Sequence, residues 1–355
     1  MTEARAAREK IIVVGGYGAV GSLICRELGA LYPGRVYAAG RSLGKAERFC
    51  RSTGGCVLPM ELDIDAAASA GLLTDARLVV MCLDQRQTDL VRACLRNGVH
   101  YVDISANVSL LSQAEAYRDE AIASGATAIL GVGLAPGVTN LLALEAHRRL
   151  ERTHAIEIAI MLGLGDHHGR AAVEWTVDNL DTEFDVMQGG KRARVRSFTD
   201  GRTVDFRGKL GKRKAYRYPF SDQLSLPRTL GVPGVSTRLT FDVGAAAGLL
   251  AFTRRTGLQK LLNWKIFRNI AISAFSNIPL GSERFAVKVE AFGEIGGSEA
   301  TAECLFYGRR QSEMTAKCAL DAAVALCETE MPPGVYSIEE RLEWSAMKRL
   351  GAYET

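Results

Sequence analysis

Seven residues near the start of the chain carry its sharpest chemical signal: Gly15-Gly16-Tyr17-Gly18-Ala19-Val20-Gly21. Gly16, Gly18 and Gly21 satisfy the spacing G-x-G-x-x-G. In that spacing the first glycine permits a tight turn. The second lets backbone approach a pyrophosphate, and the third lets a helix pack close to a strand. An apolar run, Ile11–Val14, precedes the motif, and a helical pattern, Ala19–Leu31, opens inside it. This context raises a weak pattern to a dinucleotide site in which Gly16, Tyr17, Gly18, Ala19 and Val20 meet the phosphates at a helix N-terminus. A glycine-rich turn without a ligand is the alternative.

The next apolar run selects the cofactor. Val36-Tyr37-Ala38-Ala39-Gly40-Arg41-Ser42 lacks the carboxylate that would bond the ribose 2′-hydroxyl of NAD. Arg41 instead offers a fork of donors suited to a 2′-phosphate, with the Ser42 hydroxyl beside it, so NADP(H) is expected. An ordinary surface arginine is the alternative. Later run ends converge on the same site: Asp63 and Ile64, then Leu83 and Gln85, then Asp103 and Ser105. Ligands of open α/β sheets bind outside the carboxyl ends of the strands, where Asp63 can face the adenine amino group. Each of these acids and hydroxyls also reads as a helix N-cap.

In the second half, the densest polar cluster is Gly165-Asp166-His167-His168-Gly169-Arg170, followed by Glu174-Trp175. His167 or His168 titrates in a range that serves proton transfer to or from nitrogen, and Arg170 can clamp a carboxylate beside Trp175. A polar loop with a helix cap is the alternative. The adjacent histidines lack metal-ligand spacing and a third ligand, so no metal site is read. Arg228 and Arg238 fall in Leu226–Arg238, whose two prolines and two glycines predict an extended, turn-rich loop that binds an anion or salt-bridges the domains.

These residues need elements to position them. Apolar runs at Ile11–Val14, Arg35–Ala39, Cys56–Leu62, Leu78–Cys82, Tyr101–Ile104 and Ala128–Val132 predict strands. Between them, Ala19–Leu31, Lys45–Ser52, Thr88–Asn97 and Leu110–Ser124 have helical periodicity. Strands this apolar require cover on both faces, which predicts an α/β fold: a doubly wound parallel-sheet (Rossmann) dinucleotide-binding domain. Beyond it, a helix over Gly137–Leu150, a strand over Ala155–Leu162, hairpins over 189–221 turning at Thr199-Asp200-Gly201, a hairpin around Gly296-Gly297 and a helix over Met314–Glu328 predict an α+β second domain with a largely antiparallel sheet. The expected domains are 1–134 and 135–329, with the tail 330–355 packing back on the first.

Composition bounds the rest. At 355 residues, 47% hydrophobic and 24% charged, the chain can bury a full core, which excludes general disorder. The net charge of +4 announces no nucleic-acid partner. Positive charge is nevertheless clustered: Gln188–Arg217 holds eleven Lys/Arg against Asp200 and Asp205, and Val243–Gly281 holds five Lys/Arg and no acid. A solvated face explains this, as does attraction to an anionic substrate, a carrier or a membrane surface. Aromatic residues are too sparse there for a base-stacking platform. Eight scattered cysteines without CxxC spacing read as reduced core thiols. With neither a secretory h-region nor a spanning-length apolar run, a cytoplasmic protein without a transmembrane segment is expected.

Four segments together resemble the saccharopine dehydrogenase family: Val13–Gly21, Ala39-Gly40-Arg41-Ser42, His100-Tyr101-Val102-Asp103-Ile104-Ser105 and Gly133–Ala143. The similarity is to the reductase branch that includes lysine 6-dehydrogenase and carboxynorspermidine dehydrogenase, and it runs through about residue 145. It implies a nicotinamide oxidoreductase acting on a C–N bond, with a second domain that supports a homodimer and closes over a small-molecule substrate. It also implies that Asp103 lies beside the nicotinamide and that the loop ending at Asn140 contacts substrate or cofactor. The expected function is NADPH-dependent C=N reduction or amine oxidation on an amino-acid-derived substrate, probed through its carboxylate. Reduction of C=C or C=O on a lipid or carrier-bound chain, and a cofactor-binding regulatory role without turnover, are the alternatives.

Overall fold

The computed structural model describes residues 8–64, 70–85, 87–166, 170–258, 264–277 and 281–355. The first part of the chain alternates strand and helix: β1 (Lys10–Val14), α1 (Ala19–Leu31), β2 (Val36–Gly40), α2 (Leu43–Arg51), β3 (Val57–Glu61) and β4 (Ala76–Met81). It continues through α3 (Asp89–Arg96), β5 (His100–Asp103), α4 (Val108–Glu115), α5 (Arg118–Ser124) and β6 (Thr127–Leu130). The second part holds α6 (Thr139–His147), β7 (Arg152–Leu162), α7 (Arg170–Asp178), β8 (Glu183–Gln188), β9 (Lys191–Arg196), β10 (Arg202–Asp205) and β11 (Lys212–Arg217). It closes with α8 (Asp222–Thr229), β12 (Val235–Phe241), α9 (Gly244–Arg255), α10 (Lys265–Asn277), β13 (Arg284–Ile295) and β14 (Ser298–Arg309). The chain ends with α11 (Gln311–Glu328), β15 (Gly334–Ser337) and two short 3-10 turns.

Two compact units result: Met1–Val138 with Glu313–Leu350, and Thr139–Ser312 with Gly351–Thr355. In the first, seven strands form one sheet in the order β15-β6-β5-β4-β1-β2-β3, with every pairing parallel. The direction of winding reverses between β1 and β4, which creates a crevice at their carboxyl ends. Residues 11–14 of β1 are buried, as a strand covered on both faces must be.

Helix α11, placed by the sequence reading in the second domain, groups with the first unit from Glu313 onward. Its Thr315 hydroxyl accepts from the Leu134 amide at 3.3 Å, and its Asp321 carboxylate accepts from the Arg349 amide at 3.0 Å. The helix expected over Leu110–Ser124 is two helices. Between them Tyr117 turns inward onto the core, and its hydroxyl shares a 2.7 Å hydrogen bond with that of Thr88.

The second unit is a mixed sheet in the order β10-β11-β12-β7-β13-β14, antiparallel except for the β12–β7 pair. All seven residues of β12 are buried. The hairpin around Gly296-Gly297 is present as β13–β14, paired from Ile295–Ser298 to Arg284–Arg309. Thr199-Asp200-Gly201 is not a hairpin turn: β9 pairs with β8 and β10 with β11, so this segment links two different sheets. Its direction change rests on left-handed backbone at Phe198 (φ 53°) and Asp200 (φ 48°). Nor is the Pro/Gly-rich stretch an extended loop. Pro227 sits inside the two-turn helix α8, whose Asp222, Gln223 and Leu226 are buried, and Val235–Arg238 already belong to β12. Burial of that face offsets the one helical hydrogen bond a proline forgoes.

Candidate functional site

The loop between β1 and α1 is shaped by contacts that leave no room for side chains. The amides of Gly15 and Gly16 both donate to Ala39 O, at 2.8 and 3.2 Å, tying the turn to β2. A Cβ on Gly16 would lie 2.7 Å from both Ala38 Cα and Val13 O, and one on Gly21 would lie 2.2 Å from Gly15 O. Gly18 is exposed, with only Gly15 O within 3.1 Å of its would-be Cβ, so this position is open to a ligand. Helix α1 starts at Ala19 with neither a side-chain cap nor an acid in its first turn. Its leading amides and the positive end of its dipole therefore face the loop.

Tyr17 bridges this loop to the end of β2. Its ring lies over Gly40, where a Cβ would meet the hydroxyl at 2.5 Å, and that hydroxyl accepts from the Ser42 amide at 3.1 Å. Arg41 projects from the same corner with an exposed side chain. The Ser42 hydroxyl accepts from the Lys45 amide at 3.4 Å and so caps α2, a helix with no acid and with Lys45 in its first turn. The sequence reading missed Gly40 and Lys45. Both matter here, because the small residue seats Tyr17 and the cation adds to the positive corner.

The remaining strand ends divide in character. Asp63 is exposed just beyond β3, and Ile64 packs on the core edge. Leu83 roofs the glycine loop, its Cδ2 lying 2.8 Å from where a Gly15 Cβ would be. Gln85, Tyr101 and Asp103 form a buried network. Gln85 Nε2 donates to the Tyr101 hydroxyl at 2.8 Å and to Asp103 Oδ2 at 3.1 Å. The Tyr101 hydroxyl donates to Asp103 Oδ2 at 2.8 Å, and the Ser105 amide donates to Oδ1 at 2.6 Å. Burial pushes the Asp103 carboxyl up to about 6 despite these donors, with the charge of Asp84 adding to the rise. Ser105 Oγ accepts from the Asn107 amide at 3.0 Å, supporting the turn into α4. Gln85 and Ser105, read as cofactor contacts, thus have internal partners.

The second-unit candidates that are described have different surroundings. His167 and His168 lie outside the described residues; Arg170 opens α7 just after them. Trp175 packs against Tyr218 and Phe220 at 5.3 Å between ring centroids, in an aromatic cluster rather than a polar pocket. Arg228 is exposed in the last turn of α8, whereas Arg238 is buried in β12. The Arg238 guanidinium donates to Ser236 Oγ at 2.6 Å, Glu157 Oε2 at 3.2 Å and Asp200 Oδ2 at 2.7 Å. Arg238 is held by protein carboxylates and does not share a loop with Arg228.

Asn140, also buried, donates to Ser225 Oγ at 3.0 Å. Beside it in sequence, Thr139 belongs to a cluster the sequence reading missed. Asp222 Oδ1 accepts from the Thr237 hydroxyl at 2.6 Å, and the Thr237 amide donates to Gln223 Oε1 at 3.0 Å. Burial pushes the Asp222 carboxyl up to about 6, opposed by hydroxyls of Thr237 and Thr139. In sequence, Ser221-Asp222-Gln223 reads only as a helix start, and nothing local signals that it is buried.

Residues 11–129 match the saccharopine dehydrogenase NADP binding domain. That match takes in about a third of the chain. Carboxynorspermidine synthase of Vibrio cholerae serotype O1 is 26% identical over 226 residues, 54% of this chain and 53% of that relative, so the match spans about half the relative's length. The apo saccharopine dehydrogenase (L-Glu forming) from Saccharomyces cerevisiae superimposes with a TM-score of 0.68 at 13% identity, covering 96% of each chain, which shows a common fold. The glycine loop, Arg41 and Asp103 all fall inside the matched domain, whereas His167, Arg228 and Asp222 fall beyond it. Among the described residues no helix is long and apolar enough to cross a membrane, and no group of three or more His, Cys, Asp or Glu could hold a metal ion.

Proposed function

We propose that this chain is an NADPH-dependent oxidoreductase that reduces a C=N bond, or oxidises the corresponding amine, of a small amino-acid-derived substrate, and that it works as a homodimer. The observation that carries the reading is the cradle at residues 15–21 joined through Tyr17 to a corner with Arg41 and no carboxylate. The glycines fit a diphosphate, since any side chain at Gly16 or Gly21 would collide with backbone. Bound there, the cofactor supplies hydride. The amides of α1's first turn hold its diphosphate, Arg41 and the α2 N-terminus hold the 2′-phosphate, and Leu83 keeps water off the loop.

Asp103 acts as a positioning residue in this reading. With both oxygens engaged by Tyr101, Gln85 and Ser105, it fixes the floor beneath the carboxyl ends of β4 and β5. Proton transfer at nitrogen is assigned to His167 or His168, and the substrate carboxylate to Arg170 or Arg228, whose guanidinium forks suit a carboxylate. The relative named carboxynorspermidine synthase supports an amino-acid-derived substrate. A second reading, reduction of C=C or C=O on a lipid chain, is favoured by the exposed Leu249 and Phe252. Purified protein offered NADPH with panels of keto acids plus amines, and with enoyl and ketoacyl lipids, separates the two by which panel consumes NADPH. Tight NADPH binding with no turnover on any panel defeats both and leaves a regulatory role.

A further inference from the structure

Helices α9 and α10 expose an unusual number of large apolar side chains. Helix α9 lies on β11 and β12 and buries only the small Ala247 and Ala251, while Leu249 and Phe252 are 62% and 60% exposed. Just beyond it Leu258 is 51% exposed. Trp264, Ile266 and Ile270, at the start of α10, are 67%, 71% and 59% exposed, and Phe267 adds to them. Half of the large apolar side chains exposed among the described residues, seven of fourteen, thus fall within residues 249–270. A soluble surface scatters such residues; concentrating them marks an interaction face.

Charge decides the partner. Val243–Gly281 contains five Lys/Arg and no Asp or Glu. Arg254 and Arg268 are answered by Asp181 and Asp178 on neighbouring segments, but Arg255 and Lys265 stand exposed at the ends of α9 and α10 that flank the apolar residues. A two-fold interface between copies would set this cationic segment against itself. An anionic lipid surface complements it, with aromatic and aliphatic side chains entering the headgroup boundary and cations meeting phosphates. Since no described helix is long and apolar enough to span, the contact is peripheral.

We propose that α9 and α10 dock the protein onto the surface of a bilayer containing anionic phospholipid, with Leu249, Phe252, Trp264, Ile266 and Ile270 as the inserted side chains. This assignment is independent of the proposed C–N chemistry. Its test is co-sedimentation of the full chain with phosphatidylcholine vesicles with and without phosphatidylglycerol. Partition should be about tenfold or more higher on the anionic vesicles and fall as salt is added, because each cation near such a surface adds attraction that salt screens. Brominated lipid should quench fluorescence of the wild type and quench Trp264→Phe much less. The double variant Phe252→Ser/Ile266→Ser changes exposed positions, so its NADPH binding and circular dichroism should match the wild type while its partition drops about tenfold. Equal partition on both vesicle types, no partition at all, or partition unaffected in the double variant overturns the proposal. A solution dimer that the double variant dissociates also overturns it, giving the face to a second copy.

Discussion

Arg41 is where one side chain has the largest consequence for recognition. It stands alone at the end of β2 in an exposed position, so its removal disturbs no core. A charge-assisted contact to a phosphate contributes roughly 1.5–3 kcal/mol, or about ten- to a hundredfold in affinity. Arg41→Ala should weaken NADPH by that factor and leave NADH nearly unchanged, measured by titration calorimetry; equal losses for both would remove Arg41 from the 2′-phosphate. This corner was legible in the sequence because glycine spacing and a missing carboxylate are local properties. Its reinforcement was not, since the seat of Tyr17 on Gly40 appears only when loop and strand meet. The same limit explains Trp175 and Arg238: an indole beside a polar run and an arginine near prolines look available until burial supplies Tyr218, Glu157 and Asp200 as partners.

Elements of the second unit meet at Asp222, where α8 approaches β12 and Thr139 of α6. Its folded-state value of about 6 lies above the ordinary carboxylate value of about 4. The folded protein therefore holds this proton more tightly than the unfolded chain does. The resulting stabilisation is complete below about pH 4, declines as pH rises through about 6, and is absent at neutral pH. Asp103, raised to the same value, adds to the decline. In Asp222→Asn the fall in unfolding free energy between pH 4 and 7 should shrink by on the order of 2–3 kcal/mol, read from urea midpoints across that range. An unchanged slope would show that Asp222 ionises freely when folded. At this scale the parallel strands were legible because they are short, apolar and evenly interrupted. Helix α8 was hidden because its proline argues locally against the helix that tertiary burial imposes. The α4–α5 break was hidden because Tyr117 keeps the helical period while its hydroxyl seeks Thr88.

For the molecule as a whole, the last five residues matter beyond their number. Glu354 exchanges two backbone hydrogen bonds with Leu305 of β14, at 2.7 and 2.8 Å, and Tyr353 accepts from Arg149 at 3.0 Å while donating to Glu145 at 2.9 Å. Strand β14 is otherwise a sheet edge. Deleting Gly351–Thr355 should lower the melting temperature by a few degrees, for a loss of about 1–3 kcal/mol, and increase concentration-dependent aggregation by light scattering. A deletion that melts and scatters like the full chain would make the pairing incidental. The return of the chain's end to the first sheet was legible only faintly, in Gly334-Val335. A four-residue strand has too little periodicity to declare itself, and its partner, β6, lies some two hundred residues earlier.

That long-range partnership orders events on the ribosome. Because β15 completes the first sheet beside β6, the nascent nucleotide-binding half waits with an open border through synthesis of everything between Leu130 and Gly334. The intervening unit can close on most of its own contacts in the meantime, so the half begun first waits on a strand made after nearly all of the second. A message cut short before Gly334 would release a chain whose bare β6 edge invites pairing with its neighbours.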